Sequence, residues 1–176
     1  MKILKSRNFQ GLKIISFREN KDLRGSFTRL FCKEVFKKNK IFNKLNQINL
    51  SYNKKKGTFR GFHFQKYPYG EEKVISCIEG EILLCLLDLR KKNKSYLKIY
   101  KKKFYSKKFE AIYVPKGFAT AFLTLKNKTK VIYYMSRNYV PGSSSGVNYK
   151  DPNIKIKWPV NINIVSSKDK NLPFIK

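Results

Sequence analysis

Ten short runs rich in aromatic and β-branched residues, separated by turn chemistry, constrain this chain more than any other feature. The runs are 12–17, 26–32, 45–51, 58–65, 73–78, 81–89, 97–104, 111–114, 119–125 and 130–136. Each has the length and composition of a strand. Between them lie stretches such as Asn53 to Gly57, Tyr67 to Gly70, Glu79 with Gly80, and Pro115 to Gly117, whose Asn, Pro and Gly content favours turns. Helical periodicity is scarce. A helix over Cys32 to Lys40 is the exception, with Val35 and Phe36 facing a core and the lysines in water. Many short, evenly spaced strands predict an all-β fold, a sandwich or closed barrel of the jelly-roll type with one or two short helices. At 176 residues, 41% of them hydrophobic and 15% aromatic, the chain can bury enough apolar surface for one domain. The Gly- and Ser-rich stretch at 142–146 is followed by apolar anchors at 151–159 and 172–174. This predicts a single domain over 1–176 whose C-terminal segment, 142–176, folds back on it.

Charge points first to anions. Forty Lys and Arg against 11 Asp and Glu give a formal charge of +29, which invites a nucleic-acid reading through counterion release. The lysines, however, fall in short runs at 37–40, 54–56, 91–94, 101–103 and 107–108, between apolar segments rather than on one element. Such runs read as solvated loops and protected strand edges. No specific nucleic-acid partner is expected, while a small phosphorylated ligand would be drawn to almost any cleft. One histidine and three unpatterned cysteines (Cys32, Cys77, Cys85) do not supply a structural metal site. The absence of a disulfide framework or a long apolar leader predicts a cytoplasmic protein with no membrane partner.

His63, the single histidine, lies in the run TFRGFHFQ at 58–65. Strict alternation would put Thr58, Arg60, Phe62 and Phe64 on one strand face and Phe59, Gly61, His63 and Gln65 on the other. A lone histidine is commonly satisfied by core hydrogen bonds, yet it is also the natural general base near neutrality. If the runs on either side of 66–70 form a hairpin, Lys73 comes near His63, where an ammonium could stabilise oxyanion charge.

These motifs occur in an order that resembles the dTDP-4-dehydrorhamnose 3,5-epimerase family. DLRGSFTRLFC at 22–32 is followed by TFRGFHFQ, EEKVISCIEGEI, LDLR at 87–90 and VPKGFA at 114–119. The order continues through YYMS and YVP between 133 and 141, a GV, DP and IKWP succession ending at Pro159, and SSKD at 166–169. The resemblance implies a cupin-type jelly roll, a homodimer, no cofactor or metal, and inversion of carbons beside the keto group of a nucleotide-diphosphate-linked 4-keto-6-deoxy sugar. It assigns His63 as base, Asp169 as the carboxylate that orients it, Lys73 to the keto oxygen, and Tyr133 as proton donor from the opposite sugar face. It assigns Arg24, Phe27, Gln47, Asn49, Arg60 and Tyr139 to substrate binding. Three residues depart from the pattern: Thr120 and Ala121 stand where the family commonly has His-Gly, and Leu84 where it commonly has Asp. Their joint change implies a less polar wall, with proton abstraction retained and the substrate or number of inverted centres altered. A single-centre epimerase on another nucleotide-linked keto sugar, and a non-catalytic binding module for nucleotide sugars or nucleic acid, remain the alternatives.

Overall fold

The computed structural model describes residues 1–42 and 44–175. In chain order its elements are β1 (Lys2–Lys5), β2 (Lys13–Ser16), β3 (Glu19–Asp22), β4 (Gly25–Thr28), α1 (Lys33–Lys38), β5 (Gln47–Asn53), β6 (Phe59–Gln65) and β7 (Lys73–Glu79). There follow β8 (Glu81–Asp88), β9 (Ile99–Tyr105), β10 (Glu110–Val114), β11 (Phe118–Thr124), β12 (Thr129–Met135), β13 (Ser144–Gly146) and α2 (Ser167–Lys170). Strands β1-β2-β10-β7-β12-β5 form one antiparallel sheet, β13-β6-β11-β8-β9 a second, and β3-β4 a separate hairpin. This is the cupin jelly roll, all-β with two short α-helices among the described residues.

Residue alternation explains why the central strands are apolar on both sides. On β8, Ile82, Leu84 and Leu86 enter the core between the sheets, where they meet Ile75, Ile112, Phe122 and Val131. The intervening Leu83, Cys85 and Leu87 face outward onto a second core, closed by Ile154, Trp158, Val160, Ile162 and Val165 of the C-terminal segment. A strand covered on both faces reads as a continuous apolar run, as EILLCLLD does. The outer face of the first sheet is covered in turn by Phe36 of α1 with Ile41 and Phe42, packed on Ile15, Val74 and Tyr113.

Two local expectations are corrected. Strands β6 and β7 form no hairpin, because they lie in different sheets: β6 pairs with β11 and β13, β7 with β10 and β12. Strict alternation on β6 also fails. His63 opposes Thr120 and Arg60 opposes Phe122, so Gly61 and Phe62 together face the single residue Ala121. This β-bulge inserts one residue. Phe59 and Phe62 consequently share the outer core, while Arg60 and His63, three apart, both line the cleft between the sheets.

Candidate active site

Regular pairing builds one wall of the cleft. Strand β12 carries Tyr133 opposite Ile75 of β7 and Asn49 of β5, and Met135 opposite Lys73 and Gln47. Every second residue of each strand therefore faces the same space. The bulged β6 supplies the other wall, and two adjoining cavities of about 280 and 370 Å³ lie between. Both are lined by Asn49, Arg60, His63, Lys73 and Met135.

His63 is held by a carboxylate 106 residues away: its Nε2 lies 2.7 Å from Asp169 Oδ1. Asp169 is buried, and its second oxygen accepts from the Gly61 N–H at 3.1 Å. Ser166 caps α2 by accepting from the Asp169 N–H at 3.1 Å. Burial alone would raise the Asp169 carboxyl, but the His63 bond and charge, the Gly61 N–H and the Ser166 hydroxyl together hold it below its ordinary value. A carboxylate only accepts, so in the neutral ring the proton sits on Nε2 and the basic lone pair on Nδ1. Gly61 is required here. Its φ is +130°, and an added Cβ would stand 2.5 Å from Ala121 Cα.

Across the cleft, the Lys73 ammonium is nearly sealed from solvent and pairs with Glu71 at 2.9 Å. The surroundings of Tyr133 push its phenol well above its ordinary value, chiefly by desolvation, with the Arg60 charge and the Ser51 hydroxyl opposing. The phenol thus remains a proton donor. Asn53 Oδ1 accepts from Arg60 Nε at 2.9 Å and orients the guanidinium. Gln47 Oε1 accepts from the Tyr139 N–H at 2.8 Å, joining two residues that line the larger cavity. Leu84 and Thr120 contribute an uncharged stretch of the smaller one.

His63, Asp169, Lys73, Tyr133, Gln47, Asn49, Arg60 and Tyr139 therefore converge on this cleft. Arg24 and Phe27 do not line it. They sit on the β3-β4 hairpin, where Arg24 pairs with Asp22 at 2.7 Å and Phe27 is exposed. Sequence reasoning missed Glu71 as a site residue, together with Lys168 and Ser166. The S-x-x-D spacing of Ser166 and Asp169 was the signal for a capped helix. Among the described residues, no group of three or more His, Cys, Asp or Glu could hold a metal ion, and no helix is long and apolar enough to cross a membrane.

A carboxylate-held imidazole on one wall and a protonated phenol on the other suit proton transfer at two faces of one molecule, and the barrel that carries them is that of a cupin-type isomerase. The dTDP-4-dehydrorhamnose 3,5-epimerase family model matches residues 6–176, and the chain belongs to that family. A dTDP-4-dehydrorhamnose 3,5-epimerase of Sinorhizobium fredii is 32% identical over 163 residues, 92% of this chain and 84% of that protein. A dTDP-4-dehydro-6-deoxyglucose 3-epimerase of a Streptomyces species is 30% identical over 128 residues, 72% of this chain and 65% of that protein. The fold is also similar to the crystal structure of dTDP-4-dehydrorhamnose 3,5-epimerase from Bacillus anthracis with TDP and PPi bound. The two share a TM-score of 0.94 and 33% identity over 99% of each chain.

Proposed function

We propose that this chain inverts carbon 3, carbon 5 or both in a dTDP-linked 4-keto-6-deoxyhexose, by deprotonation on one face and reprotonation on the other. The observation that carries this reading is the His63–Asp169 pair facing Lys73 and Tyr133 across one cleft. His63 Nδ1 takes the proton from the carbon beside the keto group, and Asp169 stabilises the imidazolium that forms. The electron pair of the broken C–H bond moves to the keto oxygen, where the Lys73 ammonium stabilises the enolate. Tyr133 returns a proton from the opposite face, and solvent exchange with His63 and Tyr133 restores both groups. Arg60 binds the diphosphate through its planar donor fork, with Gln47, Asn49 and Tyr139 on the nucleotide side.

The protein acts as a homodimer in which the β3-β4 hairpin of one copy brings Arg24 and Phe27 to the cleft of the other. Supporting this are the exposed Leu23 and Phe27 on the hairpin, and the exposed Ile48, Leu50 and Tyr52 on edge strand β5, the strand that also carries Gln47 and Asn49. Residues 1–176 form one domain, supported by the apolar contacts of the C-terminal segment with the second sheet. The three unpaired cysteines suit a cytoplasmic setting.

Inversion at one centre is the narrower reading, favoured by the uncharged Leu84 and Thr120 stretch and by the likeness to a 3-epimerase. Incubation with dTDP-4-keto-6-deoxyglucose in deuterated water tests both. Deuterium at carbon 3 or 5 with inverted product is expected, the labelled positions report the number of centres, and no incorporation at either carbon overturns the reading. Tyr133→Phe should incorporate deuterium with little inversion. Inversion at the wild-type rate in that variant would remove Tyr133 from its role.

A further inference from the structure

The Lys73 ammonium has three N–H donors and three acceptors around it. Glu71 Oε1 lies at 2.9 Å, Thr120 Oγ1 at 3.1 Å and the His63 carbonyl at 3.5 Å. The first contact is short and ionic, and the last is at the limit of a hydrogen bond. A keto oxygen can therefore be received only by displacing the weakest partner, the His63 carbonyl.

Among the described residues lining the two cavities, the carboxylates are Glu71 and Asp169. Asp169 already gives one oxygen to His63 and the other to Gly61. Counter-charge for Lys73 falls to Glu71, since Leu84 and Thr120 bring none. Glu71 holds this position at a cost: its Oε2 is buried without a hydrogen-bond partner among the described residues. Its place is explained by Lys73 rather than by its own hydrogen bonding, because a neutral side chain there would leave the buried ammonium without a counter-charge.

We propose that Glu71 is a positioning residue of the epimerisation, acting through Lys73. With Thr120 it fixes Nζ so that the N–H now given to the His63 carbonyl is the one handed to the substrate keto oxygen. This rests on the reading of Lys73 above. Thr120 also donates to the His63 carbonyl, at 3.3 Å, so the same hydroxyl ties the lysine to the strand that carries the base.

The experiment measures kcat and KM for solvent-deuterium incorporation into dTDP-4-keto-6-deoxyglucose in Glu71→Gln, Lys73→Ala and the double variant, normalised to folded enzyme by dTDP binding. Glu71→Gln should lower kcat about ten- to a hundredfold with KM changed by less than about twofold. The double variant should be no slower than Lys73→Ala alone, because the carboxylate then has nothing to hold. Thr120→Val, which keeps the side-chain shape, is the second arm. It should lower kcat about three- to tenfold in the wild-type background and by a smaller factor in Lys73→Ala, where only its bond to the His63 carbonyl is left to lose. Near-wild-type kcat in Glu71→Gln, or losses that multiply with Lys73→Ala, would overturn the role of Glu71 and leave that of Lys73 standing. Unchanged kcat in Lys73→Ala would overturn both.

Discussion

On the wall made by β5, β7 and β12, cleft-facing residues come at every second position: Gln47, Asn49 and Ser51; Lys73 and Ile75; Tyr133 and Met135. On the β6 wall they come three apart, Arg60 and His63, and the carboxylate that completes the base arrives from residue 169. The regular wall holds the ammonium and the phenol, groups that need only a fixed distance from the substrate. The irregular wall holds the base, which also needs a fixed tautomer. The bulge meets that need twice: it turns His63 into the cleft behind Arg60, and it aims the Gly61 N–H at the oxygen of Asp169 that His63 does not use.

The largest effect should come from removing the base itself. His63→Asn should lower deuterium incorporation by about 10²- to 10⁴-fold, the usual range for a general base, while dTDP binding, governed by the other wall and Arg60, is retained. A loss of only twofold, read by NMR in deuterated water, would mean that the irregular wall does not house the base.

The next pair of substitutions compares the walls in stability. Gly61→Ala places a Cβ against Ala121 and demands a φ of +130° from an L side chain, so it should cost about 2–4 kcal/mol. Ile75→Val, on a regular strand in the inter-sheet core, should cost about 1 kcal/mol. Urea unfolding of both variants gives the difference. Equal costs would show that the bulge tolerates a side chain and is not what fixes the site.

The same contrast explains what could be read from the sequence. Alternation alone places Lys73 with Ile75 and Tyr133 with Met135, because a paired strand has period two. It also places His63 with Gln65, since both lie after the bulge. Alternation puts Arg60 on the wrong face because a bulge depends on the partner strand's register, and nothing in FRGFH except the glycine marks it. Asp169 is legible only through the family motif; composition does not reveal a four-residue helix, or that its carboxylate meets a strand 106 residues earlier. Nothing in EEKVISCIEGEI singles out Glu71, since its burial depends on the sheets closing around it. The lysine runs were the reverse case. Lys54 to Lys56, Lys91 with Lys92, and Lys107 with Lys108 are exposed, as solvated charge requires.

The smallest effects divide the walls by pH. Asp169 titrates below its ordinary value of 3.8 in the folded protein, so its contribution to stability is present above that value and is lost as the pH falls through the lower, folded-state value. Tyr133 has the opposite sign. Its phenol titrates above its ordinary value of 10.0, so its contribution is present below pH 10 and is lost as the pH rises through the higher, folded-state value. The stability difference between wild type and Asp169→Asn should thus shrink on the acid side, as the pH falls through the folded-state value of Asp169. The difference between wild type and Tyr133→Phe should change only on the alkaline side. Denaturant midpoints measured across the pH range, each variant against wild type, check both. An acid-side slope that survives intact in Asp169→Asn would show that other carboxylates, and not the one that orients the base, set the acid limit of this fold.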